Sequence, residues 1–220
     1  MIKDYQKIFN RIHIIIDALV IIVSYMISWY LRFKSGIFEL DPWALSFGEY
    51  MKVLIFVVPG YILLYYIFQM YTPKRVQGRR LEAWHTLQAN GIGVLVFILI
   101  LYFTKQQDYS RTVIFIFFCI NVFLEVLVRN IIRMGLRKIR KQGYNQKHIL
   151  LIGYSQAAEQ YINRILGHPE WGYIVRGILA DNVPRGTEYR GIKVLGRTEN
   201  LTIILPENKL DEIVITLGLA

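Results

Sequence analysis

The chain has 220 residues, 54% of them hydrophobic and 19% charged, with a mean hydropathy of +0.34. That composition excludes an ordinary water-exposed domain as the whole molecule and directs attention to membrane segments. The net charge of +10 does not imply a nucleic-acid surface, because the basic residues flank apolar runs as they do in membrane proteins.

Apolar runs of about 20 residues can cross a hydrocarbon core about 30 Å thick. Four such runs are present, at 12–31, 51–70, 87–103 and 112–132. The third is diluted at its start by "QANGIG". No small-residue cleavage site follows the first, so a cleavable signal peptide is not expected. "VVPGY" in the second run places Pro59 inside a helix, where the missing donor predicts a packing kink. The single cysteine, Cys119, excludes an intrachain disulfide framework; within an apolar run it is expected to pack as a small hydrophobe.

Basic residues set the orientation. Lys3, Lys7 and Arg11 precede the first run, and Lys74, Arg75, Arg79 and Arg80 lie between the second and third. Arg133, Arg137, Lys138, Arg140 and Lys141 follow the fourth, whereas the two remaining loops carry fewer cations. The positive-inside rule predicts that both termini are cytoplasmic.

Ionisable groups inside spans are costly and often functional. Asp17 lies a little over one turn into the first run, and Asn121, Glu125, Arg129 and Arg133 recur every four residues on one face of the fourth. Glu125 and Arg129 are spaced to pair within the helix, and Arg129 or Arg133 lies at the depth of Asp17. One reading is a polar seam that holds a lipid phosphate or a partner domain. The favoured one is an internal ion-pair lock that fixes helix register. "YTPKRVQGRRLEAW", residues 71–84, sets Arg75, Arg79 and Arg80 with Lys74 beside Tyr71 and Trp84, a headgroup-binding loop or a topology signal.

After residue 143 the pattern becomes α/β. "HILLIG", "YIVRGILAD", "GIKVLG" and "DEIVIT" predict strands, with an amphipathic helix over 156–166 and a weak one in "TENLTIIL". The alternation predicts a parallel, Rossmann-like sheet. The predicted fold is therefore an all-α four-helix membrane bundle over 1–143, followed by a Rossmann-like domain over 144–220. That domain is expected to be incomplete, because "LGLA" follows a strand directly.

"GYSQAA" occupies the position of a dinucleotide fingerprint, G-x-G-x-x-G/A, with Gly153, Ser155 and Ala158 at its three key places. Gly153 supports the turn, but Ser155 sets a side chain where the pyrophosphate should approach. Asp181 ends the second strand, where an acid would bind a ribose hydroxyl. The preferred reading is a retained fold with dinucleotide binding lost, and a helix burying Ala157, Ala158, Tyr161, Ile162 and Ile165. The four histidines show no metal-ligand spacing, and no catalytic constellation is present.

In order, "IIIDALVIIVSYMISWYLRF", "MYTPKRVQGRR", "SRTVIFIFF", "EVLVRNIIR", "ILLIGYSQAAEQYI", "HPEWGYIVRGILAD", "GIKVLGRTENL" and "LDEIVIT" resemble the N-terminal half of bacterial polyprenyl glycosylphosphotransferases. These enzymes load a hexose-1-phosphate from a UDP-sugar onto undecaprenyl phosphate to start exopolysaccharide or capsule assembly. The resemblance implies a bacterial cytoplasmic membrane location, a catalytic domain beyond this chain, and Mg for that domain, with no catalytic residue or cofactor here. The implied partners are the bilayer, undecaprenyl phosphate, the UDP-sugar of the whole enzyme and a homo-oligomeric copy, with no nucleic acid. Membrane-bound nucleotide-sugar 4,6-dehydratases share the four-span front end but need NAD. A non-enzymatic membrane scaffold or nucleotide sensor is the third reading.

Overall fold

A computed structural model describes residues 2–39, 45–72, 75–106, 108–207 and 210–216, with side chains from residue 9 onward except those of 205–207. The chain forms two compact units, Met1–Ile131 and Ile132–Ala220. The first holds α1 (Ile2–Phe33), α2 (Phe47–Ile67), α3 (Arg79–Phe103) and the start of α4 (Arg111–Lys141). All four are long and apolar enough to cross a membrane.

α1 and α4 overrun their apolar runs at both ends, whereas α2 stops at Ile67, short of residue 70, and α3 ends with its run at Phe103. α1 begins at Ile2 rather than at residue 12, α4 ends at Lys141 rather than at 132, and α3 begins at Arg79 rather than at 87. "QANGIG" is thus helix interior: Asn90 is fully buried, and a side chain at Gly93 would lie 2.6 Å from the Tyr61 ring. The absent Cβ lets α3 approach that ring. α2 opens with a capping box in which Ser46 N–H donates to Glu49 Oε2 at 2.7 Å and Ser46 Oγ accepts from Glu49 N–H at 3.4 Å. It continues unbroken through Pro59, which is exposed.

The distribution of side chains in this unit suits a lipid solvent. Ile15, Leu19, Ile55, Phe56, Leu95, Phe115 and Phe123 point outward, while Asp17, Asn90, Asn121, Glu125 and Arg129 are buried. Cys119 also lies on the exposed face, which corrects the expectation that it packs inside. The interior is aromatic: Phe117 meets Tyr25 and Tyr61 edge-to-face at centroid distances of 5.6 and 5.5 Å. Tyr25 shares a hydroxyl–hydroxyl hydrogen bond with Tyr109 and donates to the Tyr50 carbonyl at 3.1 Å. Tyr50 in turn accepts from Ser110 N–H at 3.0 Å.

The second unit is a Rossmann-like α/β domain. Its strands are β1 (Lys147–Ile152), β2 (Tyr173–Leu179), β3 (Glu188–Tyr189), β4 (Ile192–Gly196) and β5 (Glu212–Ile215), and its helices are α5 (Gln156–Gly167) and α6 (Leu201–Glu207). The sheet order is β3-β4-β2-β1-β5, with β1, β2, β4 and β5 parallel and β3 antiparallel at the edge. Central β1 buries Ile149, Leu150 and Leu151 completely, as a parallel strand covered on both faces requires. β3 was not expected from the sequence. It forms because Arg190 and Gly191 both take positive φ, +48° and +83°, closing a two-residue hairpin onto β4. α5 buries Ala158, Ile162 and Ile165 and half-buries Tyr161, whereas Ala157 is exposed, contrary to expectation.

The asymmetry of basic residues yields a labelling prediction. In a Cys119→Ser background, Lys34→Cys should react with an impermeant maleimide on intact cells, and Gly78→Cys only after lysis. Reaction of Gly78→Cys in intact cells would invert the orientation.

Candidate functional site

Two places in the molecule gather the side chains singled out above. The first lies among the four long helices. Asp17 of α1 and Glu125 and Arg129 of α4 are 1%, 0% and 5% exposed. Arg129 Nη2 donates to Asp17 Oδ2 at 2.6 Å, Nη1 donates to the Met70 carbonyl at 3.5 Å, and Nε lies 3.5 Å from Glu125 Oε2. Its guanidinium carbon also stands 5.6 Å from the Tyr65 ring centroid. Arg129, not Arg133, is therefore the partner of Asp17. Arg133 lies one turn further along α4 and makes interactions of its own.

One turn before Glu125 the ladder continues without charge. Asn121 Nδ2 donates to Asn90 Oδ1 at 2.7 Å and to Tyr65 Oη at 3.2 Å, and Asn90 Nδ2 donates to the Thr86 carbonyl at 2.8 Å. α1, α2, α3 and α4 each contribute a polar group to this cluster. Neither Glu125 oxygen accepts a hydrogen bond among the described residues. The site thus holds two carboxylates against one guanidinium, and Asp17 takes the short, direct contact.

Of the basic segment 71–84, Lys74 lies outside the described residues. Arg79 and Arg80 are exposed on the first turn of α3, where the helix dipole disfavours cations and favours a bound anion. Tyr71 is buried at 8% exposure while Trp84 is 55% exposed, so the two aromatics do not share a surface. Arg75 is partly buried and has interaction partners.

The second place is the carboxyl end of the sheet. Gly153 takes φ +96° and its N–H donates to the Leu179 carbonyl at 2.7 Å, which makes the tight turn into α5. Ser155 is the N-cap of α5: its Oγ accepts from Ala158 N–H at 3.4 Å and donates to the Thr216 carbonyl at 2.5 Å. Thr216 Oγ1 donates to the Gly153 carbonyl at 2.7 Å, and Thr216 N–H to that of Ile152 at 2.8 Å. β1 has β2 on one side and β5 on the other, so the crevice between β1 and β5 is the switch point at which such folds bind nucleotides. Here the Ser155–Thr216 hydrogen bond crosses it. Ser155 was expected to obstruct phosphate sterically; its side chain instead caps a helix and joins two strand ends.

Asp181 is likewise engaged. Its carboxylate accepts from Thr198 Oγ1 at 2.5 Å and from Thr198 N–H at 3.1 Å. Those hydrogen bonds, with Arg197 nearby, hold the carboxyl below the usual carboxylate range. Tyr154 donates to Glu159 Oε1 at 2.7 Å, which raises the phenol above its ordinary value. Asn182 Nδ2 donates to the Tyr154 carbonyl at 2.9 Å, tying the loops after β1 and β2 together. Among the described residues no group of three His, Cys, Asp or Glu side chains is placed to hold a metal ion.

Fold and site together define a chain of four membrane-length helices joined to a Rossmann-like domain whose switch point is crossed by the Ser155–Thr216 hydrogen bond. The family described as CoA-binding domain matches residues 66–220, and the chain belongs to that family. The domain occurs in sugar-phosphate transferase and polysaccharide-biosynthesis proteins. No curated protein matches the chain.

Two predictions follow from this geometry. Arg129→Gln leaves Asp17 buried and unpaired, and should cost about 3–5 kcal/mol in detergent unfolding. Glu125→Gln removes the surplus carboxylate and should stay within about 1 kcal/mol of the parent or exceed it. A larger loss for Glu125→Gln than for Arg129→Gln would contradict the assignment of Asp17 as principal partner.

At the sheet, Ser155→Ala should cost about 1 kcal/mol through the lost cap. Calorimetry with NAD should show no micromolar binding to the parent or to Ser155→Gly. Micromolar binding by either would mean that the crevice opens.

Proposed function

We propose that the chain is the membrane-anchoring and regulatory part of an enzyme that moves a hexose-1-phosphate from a UDP-sugar to undecaprenyl phosphate at the bacterial cytoplasmic membrane. In the net reaction the diphosphate bond of the UDP-sugar breaks, the sugar phosphate becomes bonded to a phosphate oxygen of the lipid, and UMP leaves. No described side chain is assigned a part in those bond changes. The chain's role is to hold the enzyme in the bilayer that contains the lipid substrate.

The observation that carries this reading is the Ser155–Thr216 bond across the switch point, in a domain whose family occurs in sugar-phosphate transferase and polysaccharide-biosynthesis proteins. A domain retained with that bond across its switch point suits a scaffold better than a redox enzyme. The same bond counts against NAD at that point, so the front part of a nucleotide-sugar 4,6-dehydratase would have to seat its NAD elsewhere. Four membrane-length helices suit a polyprenyl substrate, and Arg79 and Arg80 on the first turn of α3 suit an anionic headgroup. The polar cluster of Asp17 and Arg129 acts as the internal lock of the anchor. A membrane scaffold without its own reaction would use the same features and differ only in the assay.

Membranes from cells expressing the protein from its native locus should convert a UDP-sugar labelled in the hexose into an organic-extractable lipid diphosphate sugar, with stoichiometric UMP. Deletion of the locus should abolish both. A water-soluble 4-keto-6-deoxy sugar nucleotide would establish the dehydratase reading instead, and neither product the scaffold reading.

A further inference from the structure

The parallel strands β2 and β4 end side by side, and the segments that follow them enclose a cavity of about 430 Å³, open on one side. Its volume lies within the range of about 300–1,000 Å³ typical of small-ligand sites. Its place, at the carboxyl ends of parallel strands, is where open α/β sheets bind ligands. It includes Asp181, the acid expected at a ribose hydroxyl, but neither Gly153 nor Ser155 of the switch-point crevice lines it.

The charge in this cavity is lopsided. Arg185 and Arg197 line it together with Asp181, Asn182 and Asn200. Both oxygens of Asp181 already accept from Thr198. Among the described residues neither guanidinium has a hydrogen-bond or ion-pair partner, and both residues are exposed. Two planar forks therefore remain available toward one cavity, with a single, already occupied carboxylate opposing them.

The backbones carrying these arginines are fixed. Arg185 sits in a tight turn closed by Thr187 N–H to the Pro184 carbonyl at 3.2 Å and by Thr187 Oγ1 to the same oxygen at 2.8 Å. Gly186 follows it with φ +93°, a conformation that suits glycine, and donates to the Val194 carbonyl at 2.9 Å. Arg197 is held between β4 and the turn at Thr198–Asn200, which Asp181 fastens. At the floor, Ala180 N–H donates to the Gly196 carbonyl at 3.0 Å. A side chain at Gly196 would begin 2.6 Å from Asn200 Nδ2, so glycine there leaves the Asn200 amide its place in the wall. The arrangement is preorganised: little chain has to be ordered when a ligand arrives.

We propose that this cavity binds the terminal phosphate of a small phosphate monoester. A terminal phosphate carries close to two negative charges above its second pKa of about 6, which matches two guanidiniums. Arginine forks pair with phosphate oxygens bidentately. Val183, half-buried in the wall, offers an apolar surface to the organic part of the ligand. An internal diphosphate such as that of NAD lacks the terminal dianion and is disfavoured. The inference does not depend on the transferase reading, since it concerns binding to this chain and not the reaction.

The test is calorimetry on the whole chain in detergent micelles, titrated at pH 7.5 with UMP and separately with inorganic phosphate. Saturable binding of UMP is expected. It should weaken about tenfold or more in Arg185→Gln/Arg197→Gln, the loss of charge-assisted hydrogen bonds, and weaken at high salt or at pH 5.5. Arg176→Gln, an exposed arginine of β2 outside the cavity, should bind as the parent does. Tighter binding of UMP than of phosphate would assign the site to a nucleotide, and equal binding to free phosphate; both support the proposal. Thermal melting checks that the double variant is folded. Should it fail to fold, Arg185→Lys, which keeps the charge but not the fork, should still weaken binding. No saturable heat with either probe, unchanged binding in the cavity variants, or an equal loss in Arg176→Gln would overturn it.

Discussion

The helical unit depends on how Arg129 is satisfied. A guanidinium that is 5% exposed among apolar helices has no water to replace a missing partner, and breaking such a pair costs several kcal/mol. Three elements meet its needs: Asp17 on α1, Glu125 one turn back on α4, and the Met70 carbonyl just after α2. In a lipid surround the outward residues gain nothing by leaving it, since lipid tails are as apolar as leucine. Polar contacts and close aromatic packing must therefore select which faces meet. Rotating α4 by one residue would swing Arg129 about 100° away from Asp17, so one short contact sets the register of a 31-residue helix.

The α/β unit follows the same logic with opposite consequences for ligands. Residue types that could serve a nucleotide serve the chain itself. Ser155 caps α5 and reaches Thr216, and Asp181 fastens Thr198. These bonds tie together the segments that follow β1 and β5 and those that follow β2 and β4.

Parts of this were legible in the sequence because they depend on period alone. The four-residue recurrence of Asn121, Glu125 and Arg129 needs only helix geometry, and the continuous apolar run at 149–152 needs only a buried parallel strand. Asp17 could be matched to Arg129 only by depth along the spans, which left Arg133 as a competitor. The start of α3 was hidden because Arg79, Arg80 and Glu82 resemble a loop, whereas they form a charged first turn outside the apolar stretch. Cys119 was misplaced for a physical reason: in a membrane span both faces are apolar, and composition does not say which is inside. β3 was missed because its hairpin turns on Arg190–Gly191, without the asparagine or aspartate that usually marks such turns. The Ser155–Thr216 bond joins groups 61 residues apart, and nothing local to either announces it. Arg185 and Arg197 come together only because β2 and β4 are neighbours in the sheet.

The central claim is that Asp17 and Arg129 act as one unit. A double-mutant cycle with Asp17→Asn and Arg129→Gln, read as unfolding free energy in detergent, measures this directly. Each single change should be strongly destabilising and the double change much less so than their sum, with a coupling of about 2–3 kcal/mol. Additive losses, with coupling near zero, would show that the two residues are stabilised independently and would contradict the account.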